Sequence, residues 1–552
     1  MHPSEPFPHF VEDYLAHLHE FLPGQASRDG VHLHDDLLEN FSRPAVEAHI
    51  RDLAGFGRRL QAIDPVLLQP GERIDRRILA ASIESRIHEL ETLRIWRRSP
   101  QLYAEALSSS LAGQSLSDYA PEVERARRIV SKLRQAPRLV KAARDNISDC
   151  PGLFVKVGLE AWRAAATLIE DDLPRAFSGL DDLHILGDLA DASTEAAEAA
   201  RDYIRYLETE LAPRAKASFR LGREDFERKL ELDEGITLSA ERLLVIALRE
   251  LDEVQEEFRA VAGQPHGGDP LAAWRAADGR HPEPGQLVAV AEQQIGDLAE
   301  FLERQAVVSL PVPARVGVAL SPAYLRSALS SVRPPGPFES KPGAGRYYVT
   351  DADRRWPQER QHEHMRELSL ARLWNMSIHK VYPGRCLQHQ HLRRVESKVR
   401  RSVVLAPMSF VKGWAHYSEQ MMAEAGFGRG DADIKLGQLA ESLVQLARVV
   451  VAVRLHCEDL SVEQGMRFFR DEAFLEERLA RQEAERGTYE PTYFVGSLGK
   501  LMMLKLRRDY KSRASGAFSL RTFHDAVLGH GNAPFWAHRD LLLDDASDAV
   551  LE

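Results

Sequence analysis

The chain has 552 residues, and 72 Lys+Arg against 83 Asp+Glu leave a net charge of −11. That balance argues against nucleic acid as a main partner, because phosphate binding leaves a basic footprint. With 44% hydrophobic and 28% charged residues, a chain this long can bury a large core without disulfides or a structural metal.

The N-terminal stretch MHPSEPFPHFVEDYLAHLHEF carries acidic residues and no continuous apolar core, so it is not expected to be a signal peptide. Downstream, apolar residues recur at helical spacing in Ile78–Ile95, Val123–Ala142, Leu153–Ile169 and Ala196–Leu211. Pro121, Pro137, Pro151 and Pro213 are expected to punctuate these helices. Ser239 can serve as an N-cap for a helix whose Leu243, Leu244, Ala247, Leu248 and Leu251 share one stripe. No repeat of fixed period is present, and residues 1–308 are expected to form a helical scaffold lobe.

Between 309 and 355 the texture changes. Prolines 311, 313, 322, 334, 335, 337 and 342 interrupt short runs such as Arg315–Leu320 and Arg346–Thr350. Tyr347-Tyr348-Val349-Thr350 has strand composition, so a small sheet walling a cleft is expected. Helices return over 356–552, where Ser461-Val-Glu-Gln464 has the form of a capping box ahead of Met466, Phe468 and Phe469. The three segments are expected to make one structural unit. No apolar run reaches the roughly 18–20 residues of a membrane helix; the best candidate, Val449–Val453, is flanked by Arg448 and Arg454. Cys150, Cys386 and Cys457 are far apart and form no CxxC pair. A cytoplasmic protein with reduced thiols and no membrane partner is the expectation.

Chemistry concentrates in two segments. Ser377–Gln388 reads SIHKVYPGRCLQ, and Phe410–Met421 reads FVKGWAHYSEQM. A third piece, Arg486–Lys500, reads RGTYEPTYFVGSLGK, and Ser519–Asp525 follows. Together they resemble a large bacterial family of proposed zinc metallopeptidases, long catalogued as a domain of unknown function. Its patterns are H-E-x-x-P-G-H-x-L-Q, E-G-W-A-H-Y-S-E-Q-M and R-G-T-F-D-P-T-Y-L-x-Y-x-L-G-K. The resemblance implies a mainly α fold similar to carboxypeptidase Taq, with a small sheet lining a central cleft. It also implies a zinc ion held by two His and a Glu, a Glu base and a Tyr oxyanion donor.

At those positions this chain departs from the pattern. His379 remains, while the base position is Lys380, the second ligand Arg385, the third Lys412, and the Tyr position Gly496. Arg offers no lone pair, and Lys must first lose its proton. Two carboxylates and a zinc ion are replaced by about three cations. Each pair at about 4 Å repels by on the order of 4 kcal/mol at an effective dielectric near 20. Zinc, expected of the family, is therefore expected to be absent here. His362 with His364, and His389 with His391, lie two apart and point to divergent helix faces, so no relocated metal site is expected.

Lys380, Arg385 and Lys412 are instead expected to line a cationic pocket for a peptide C-terminus or small carboxylate. Tyr382, Gln388, His416, Tyr417 and Tyr493 would support the cleft, with Tyr493 a possible stand-in for the missing Tyr and Glu419 or Glu424 available to relieve charge crowding. Two alternatives stand beside this pseudo-peptidase: metal-independent chemistry at a Lys of depressed pKa, and a structural or interaction protein with a closed cleft. No phosphate-binding glycine loop, dinucleotide fingerprint or G-x-S-x-G elbow is present.

Overall fold

The computed structural model describes residues 5–116, 119–263, 270–311, 316–322, 325–326, 328–514, 516, 518–545, 547 and 549–551. Helices build it, as the apolar spacing predicts. The expected stretches fall on Pro70–Ile87 with His88–Leu93 and Ile95–Arg97, on Glu122–Asn146, on Gly152–Thr167 with Leu168–Asp172, and on Leu183–Tyr206 with Leu207–Leu211. Ser239 caps Ala240–Gly263 by accepting the Arg242 N–H at 3.3 Å. The capping box at Val462–Glu472 is complete: Gln464 N–H donates to Ser461 Oγ (3.2 Å) and Ser461 N–H to Gln464 Oε1 (2.8 Å).

Pro137 is a correction, since it lies inside Glu122–Asn146 rather than at a helix end. Its missing N–H costs about 3 kcal/mol. The buried face formed by Leu133, Ala136 and Leu139 against Leu183–Tyr206 carries the helix through.

Strand β1, Val316–Leu320, pairs in parallel with β3, Gly345–Val349. Strand β2, Ser330–Arg333, pairs with the other edge of β3 in antiparallel fashion. Pro313 and Arg315, which the sequence places at the start of this segment, lie outside the described residues. The sheet rests on helices Leu287–Arg304 and Leu370–Lys380.

Buried apolar side chains gather in two clusters. The smaller joins Leu38 and Phe41 to helices between Tyr103 and Leu211. The larger unites Phe7–Ile83 with Phe226–Val550 across the sheet. Its axis is Ala432–Cys457, a 26-residue helix that contains Val449–Val453 and is long and apolar enough by composition to cross a membrane (mean hydropathy 1.4 over its most apolar window). Here 83% of its most apolar window is buried inside the protein, as in a core helix. All three cysteines are free, and burial pushes the Cys386 thiol up to about 12, consistent with an inert side chain.

Candidate functional site

Helix Leu370–Lys380 starts at Ser369, whose hydroxyl accepts the Arg372 N–H at 3.4 Å, and ends at His379-Lys380. The chain then turns through Val381–Gly384 into helix Arg385–Leu392. Only glycine fits at 384: a Cβ there would lie 1.9 Å from the His379 carbonyl oxygen. The Gly384 N–H donates to Ile378 O (2.9 Å), and the Trp414 indole N–H donates to Pro383 O (2.8 Å). The second motif helix, Met408–Glu424, is thereby tied to the turn.

Helix Met408–Glu424 crosses helix Val495–Arg513 on bare backbone. A Cβ on Gly499 would lie 1.8 Å from Ser409 O, and one on Gly413 would lie 2.5 Å from Gly499 Cα. This crossing carries Gly496 against the motif. A Cβ at 496 would sit 2.9 Å from both Lys412 Cβ and His416 Cδ2. Position 496 thus adjoins two other motif positions.

His379, His416 and Glu419 converge. Glu419 Oε1 accepts from His379 Nδ1 at 2.6 Å and lies 3.3 Å from His416 Nδ1, and the two imidazoles meet edge to face at 4.6 Å. Burial raises Glu419, but the two histidines overcome it and hold the carboxyl down to about 2. Burial brings His379 down to about 4 against the pull of Glu419. At neutral pH His379 is therefore neutral, and its bond to Glu419 places the proton on Nδ1 and the lone pair on Nε2. That tautomer, oriented by a carboxylate, is the one a metal-ligating histidine adopts. Glu419 is a site residue that the sequence offered only as one of two charge-relieving carboxylates. Its signal was the final Glu of the E-G-W-A-H-Y-S-E pattern.

The same three residues are the group, among those described, whose His and Glu ligand atoms all lie within 4.8 Å of one another. As donors for zinc they fit poorly. Both Nδ1 atoms face a single carboxylate oxygen, and 2.6 Å is a hydrogen-bond separation, shorter than the spacing of two ligands bonded at about 2.0–2.2 Å to one tetrahedral zinc. The motif positions 380, 385 and 412 carry cationic side chains, which supply no lone pair while protonated.

The three cations do not share one pocket. Lys380 Nζ donates to the Ser330 carbonyl on β2, and burial, followed by Arg385, lowers it to about 8. Arg385 turns into a cavity of about 370 Å³ between the sheet edge and the Arg385–Leu392 helix. Lys412 lines a separate cavity of about 650 Å³ with Glu234 and Glu490, and burial lowers its pKa. Ala406 and Met408 line both cavities. A single pocket of three cations is thus corrected to two neighbouring cavities and a capped lysine, because a helix end and a turn separate 380 from 385.

The supporting residues divide likewise. Tyr382 is buried, and Gln388 Nε2 donates to Asn532 Oδ1 at 2.6 Å beside the smaller cavity. Tyr417 faces away from His379, with its hydroxyl 2.8 Å from His524 Nε2. Tyr493 donates to Glu483 O at 3.3 Å, its ring between Arg448 and Arg486, so its hydroxyl is directed away from the motif histidines.

This is a large helical fold with a three-stranded sheet and a histidine–glutamate cluster at the crossing of two motif helices. A family model described as bacterial protein of unknown function (DUF885) matches residues 23–537, and the chain belongs to that family. A solved structure of a candidate lipoprotein of unknown function from Shewanella oneidensis is similar over 98% of this chain and 100% of its own, with TM-score 0.79 and 23% identity. A candidate lipoprotein from Colwellia psychrerythraea is similar over 97% and 98%, with TM-score 0.81 and 17% identity. At these identities the likeness is one of fold. No curated protein matches the chain.

Proposed function

We propose that this member of the family is a metallopeptidase-like protein, related in fold to carboxypeptidase Taq, in which zinc hydrolysis has given way to binding of an anionic ligand. One observation carries the reading: Lys380, Arg385 and Lys412 stand where the motifs call for a base and two ligands, while the surrounding frame of Gly384, Gly413, Trp414 and Gly499 is kept and packs tightly. The His379–Glu419 pair still orients one imidazole as a ligand, but a lone neutral nitrogen among cations neither retains a dication nor activates water. A peptide C-terminus or small carboxylate suits such cations by charge-assisted hydrogen bonds.

The test is metal content together with hydrolysis. Purified protein should contain no stoichiometric zinc and should cleave no peptide; stoichiometric zinc would overturn the reading. Lys380→Glu, Arg385→His and Lys412→Glu combined should create zinc binding measurable by calorimetry. Gly496→Tyr is best left out of that set, since a side chain there must displace Lys412 and His416. A folded triple variant that ignores zinc would show the alignment of positions to be wrong.

A further inference from the structure

We infer that Ser110 and Lys132 form a nucleophile–base pair that cleaves carboxylic esters entering the 370 Å³ cavity. The inference goes beyond the reading above, because neither residue belongs to the motifs, and it shares with that reading only Arg385. Ser110 stands on helix Pro100–Leu116 and Lys132 on Glu122–Asn146, two helices that pack on each other. Lys132 Nζ donates to Ser110 Oγ at 2.6 Å, and both side chains are buried, Lys132 completely. Lysine is almost never fully buried unless it is paired, yet Lys132 forms no ion pair among the described residues. The nearby carboxylates are engaged elsewhere. Asp35 Oδ2 lies 2.8 Å from His32 Nδ1 and 2.9 Å from Arg128, and Glu39 Oε1 accepts the Gly24 N–H at 3.1 Å.

Burial lowers Lys132 to about 8; Asp35, Glu39 and Asp36 oppose that shift, and Arg128 adds to it. At mildly alkaline pH the amine is therefore largely neutral, its lone pair facing the Ser110 hydroxyl, which becomes the donor. Ser110 lines the cavity together with Gly24 and Gly113. A Cβ at 24 would lie 3.8 Å from Ser110 Oγ, and position 113, one turn along the same helix face, has nothing within 4 Å of where a Cβ would stand. Two bare positions thus leave the approach to the hydroxyl clear. Leu116, Leu392 and Met408 supply apolar wall for an acyl chain. Arg385, half-buried and without a hydrogen-bond or ion-pair partner among the described residues, lines the same space and offers N–H donors to a developing oxyanion. Ser110 Oγ attacks the ester carbonyl carbon as its proton passes to the neutral Lys132 amine. The ammonium returns that proton to the departing alcohol oxygen as the C–O bond breaks, which leaves an acyl-serine. Water then attacks the acyl carbon, giving its proton through the same amine to Ser110 Oγ, and the carboxylic acid is released.

An alkyl fluorophosphonate, which phosphonylates activated serines, and p-nitrophenyl butyrate test this on the full chain. One adduct is expected, on Ser110 by peptide mass spectrometry, with a labelling rate that rises with pH through about 8. Ester hydrolysis should follow the same profile and be indifferent to a metal chelator. Ser110→Ala should abolish the adduct and lower hydrolysis by roughly 100-fold. Lys132→Met, similar in length but without the base, should slow labelling by roughly 100-fold and flatten its pH profile. Half-buried Ser108→Ala, which lies off the cavity, should change neither rate. Absence of an adduct on Ser110 overturns the inference, as does labelling of Ser110 at a rate independent of pH. The parent's pH profile needs no variant, so it decides even where Lys132→Met fails to fold. Zinc content is independent of these readouts, so failure here is separable from failure of the proposed loss of zinc chemistry.

Discussion

The two cavities beside the motif helices share Ala406 and Met408 yet handle charge differently. The larger is lined by Arg77, Arg86, Arg228, Lys229 and Lys412 on one side of the balance, and by six carboxylates on the other. Those charges answer one another within the wall: Arg228 bridges Glu84 and Glu231, each at 2.7 Å, and Lys229 holds Asp233 at 2.7 Å. Among the described residues the smaller cavity is lined by five cationic side chains, and its carboxylate Glu339 shares His32 with Asp35. Internal pairing answers most charges of the larger wall, whereas Arg385 in the smaller one has no ion-pair partner among the described residues. Cavity size alone would have pointed to the larger; the unpartnered Arg385 and the Ser110–Lys132 pair point to the smaller.

The largest effect should come from reversing a charge in the smaller cavity. Arg385→Glu removes a cation and adds a carboxylate among four remaining cationic residues, so binding of a peptide C-terminal carboxylate should fall by roughly 1,000-fold in calorimetry. The new Glu should form ion pairs inside the cavity and leave the melting temperature nearly unchanged. A variant that binds as tightly as the parent would erase the contrast between the cavities.

Next comes the His379–Glu419–His416 cluster, where one buried carboxylate serves two imidazoles. Glu419→Gln should destabilise the protein by about 2 kcal/mol in denaturant titration, the worth of a hydrogen bond to a buried charge. The sign with pH follows from the shifts. Glu419 is held down to about 2, so its contribution is complete above pH 4.5 and is lost as pH falls towards 2. His379 is held down to about 4, so the folded state binds fewer protons between pH 4 and 6.5, and stability rises through that window. Both make the parent acid-sensitive, and the variant should show a flatter acid limb.

In the larger cavity the sign reverses at one residue. Glu234 is buried, accepts the Ser409 N–H at 2.7 Å, and is pushed by burial up to about 7. Between pH 4.5 and 7 the folded state keeps a proton that the unfolded chain has lost, so this group's contribution falls as pH rises. Glu234→Gln keeps the acceptor without the charge. It should raise stability by about 2 kcal/mol above pH 7 and have little effect at pH 4. An increase of equal size at both pH values would show that packing, and not ionisation, is responsible.

How far the sequence reaches depends on whether a feature is local. Helix spacing around Leu243 and Leu251, the Ser461 capping box and the Tyr347–Val349 strand were legible because near neighbours determine them. Strand β2 was not: Ser330–Arg333 is short, and pairing with β3 is what holds it. Pro137 was misplaced because tertiary burial outweighed a local breaker. Of the site, the three cationic positions and the empty Tyr position could be read from the motif strings. Their dispersal could not, since it depends on the turn at Gly384. Ser110 and Lys132 carried no sequence signal at all, because the fold alone brings their two helices together beside one cavity.

The smallest effect tests whether internal pairing in the larger cavity is as modest as its geometry suggests. Lys229 and Asp233 lie one helical turn apart, with side chains 17% and 24% exposed, and Asp233 also accepts from Ser85 Oγ at 2.5 Å. Lys229→Ala therefore leaves the carboxylate one partner and access to water, and it should cost about 1 kcal/mol, shrinking as salt is added. The same variant should leave binding of a peptide C-terminal carboxylate within about twofold, since only field effects across the Met408 wall connect the two cavities. A loss of binding comparable to that of Arg385→Glu would show that the cavities act as one electrostatic unit, and that the charge of Arg385 is balanced through the wall.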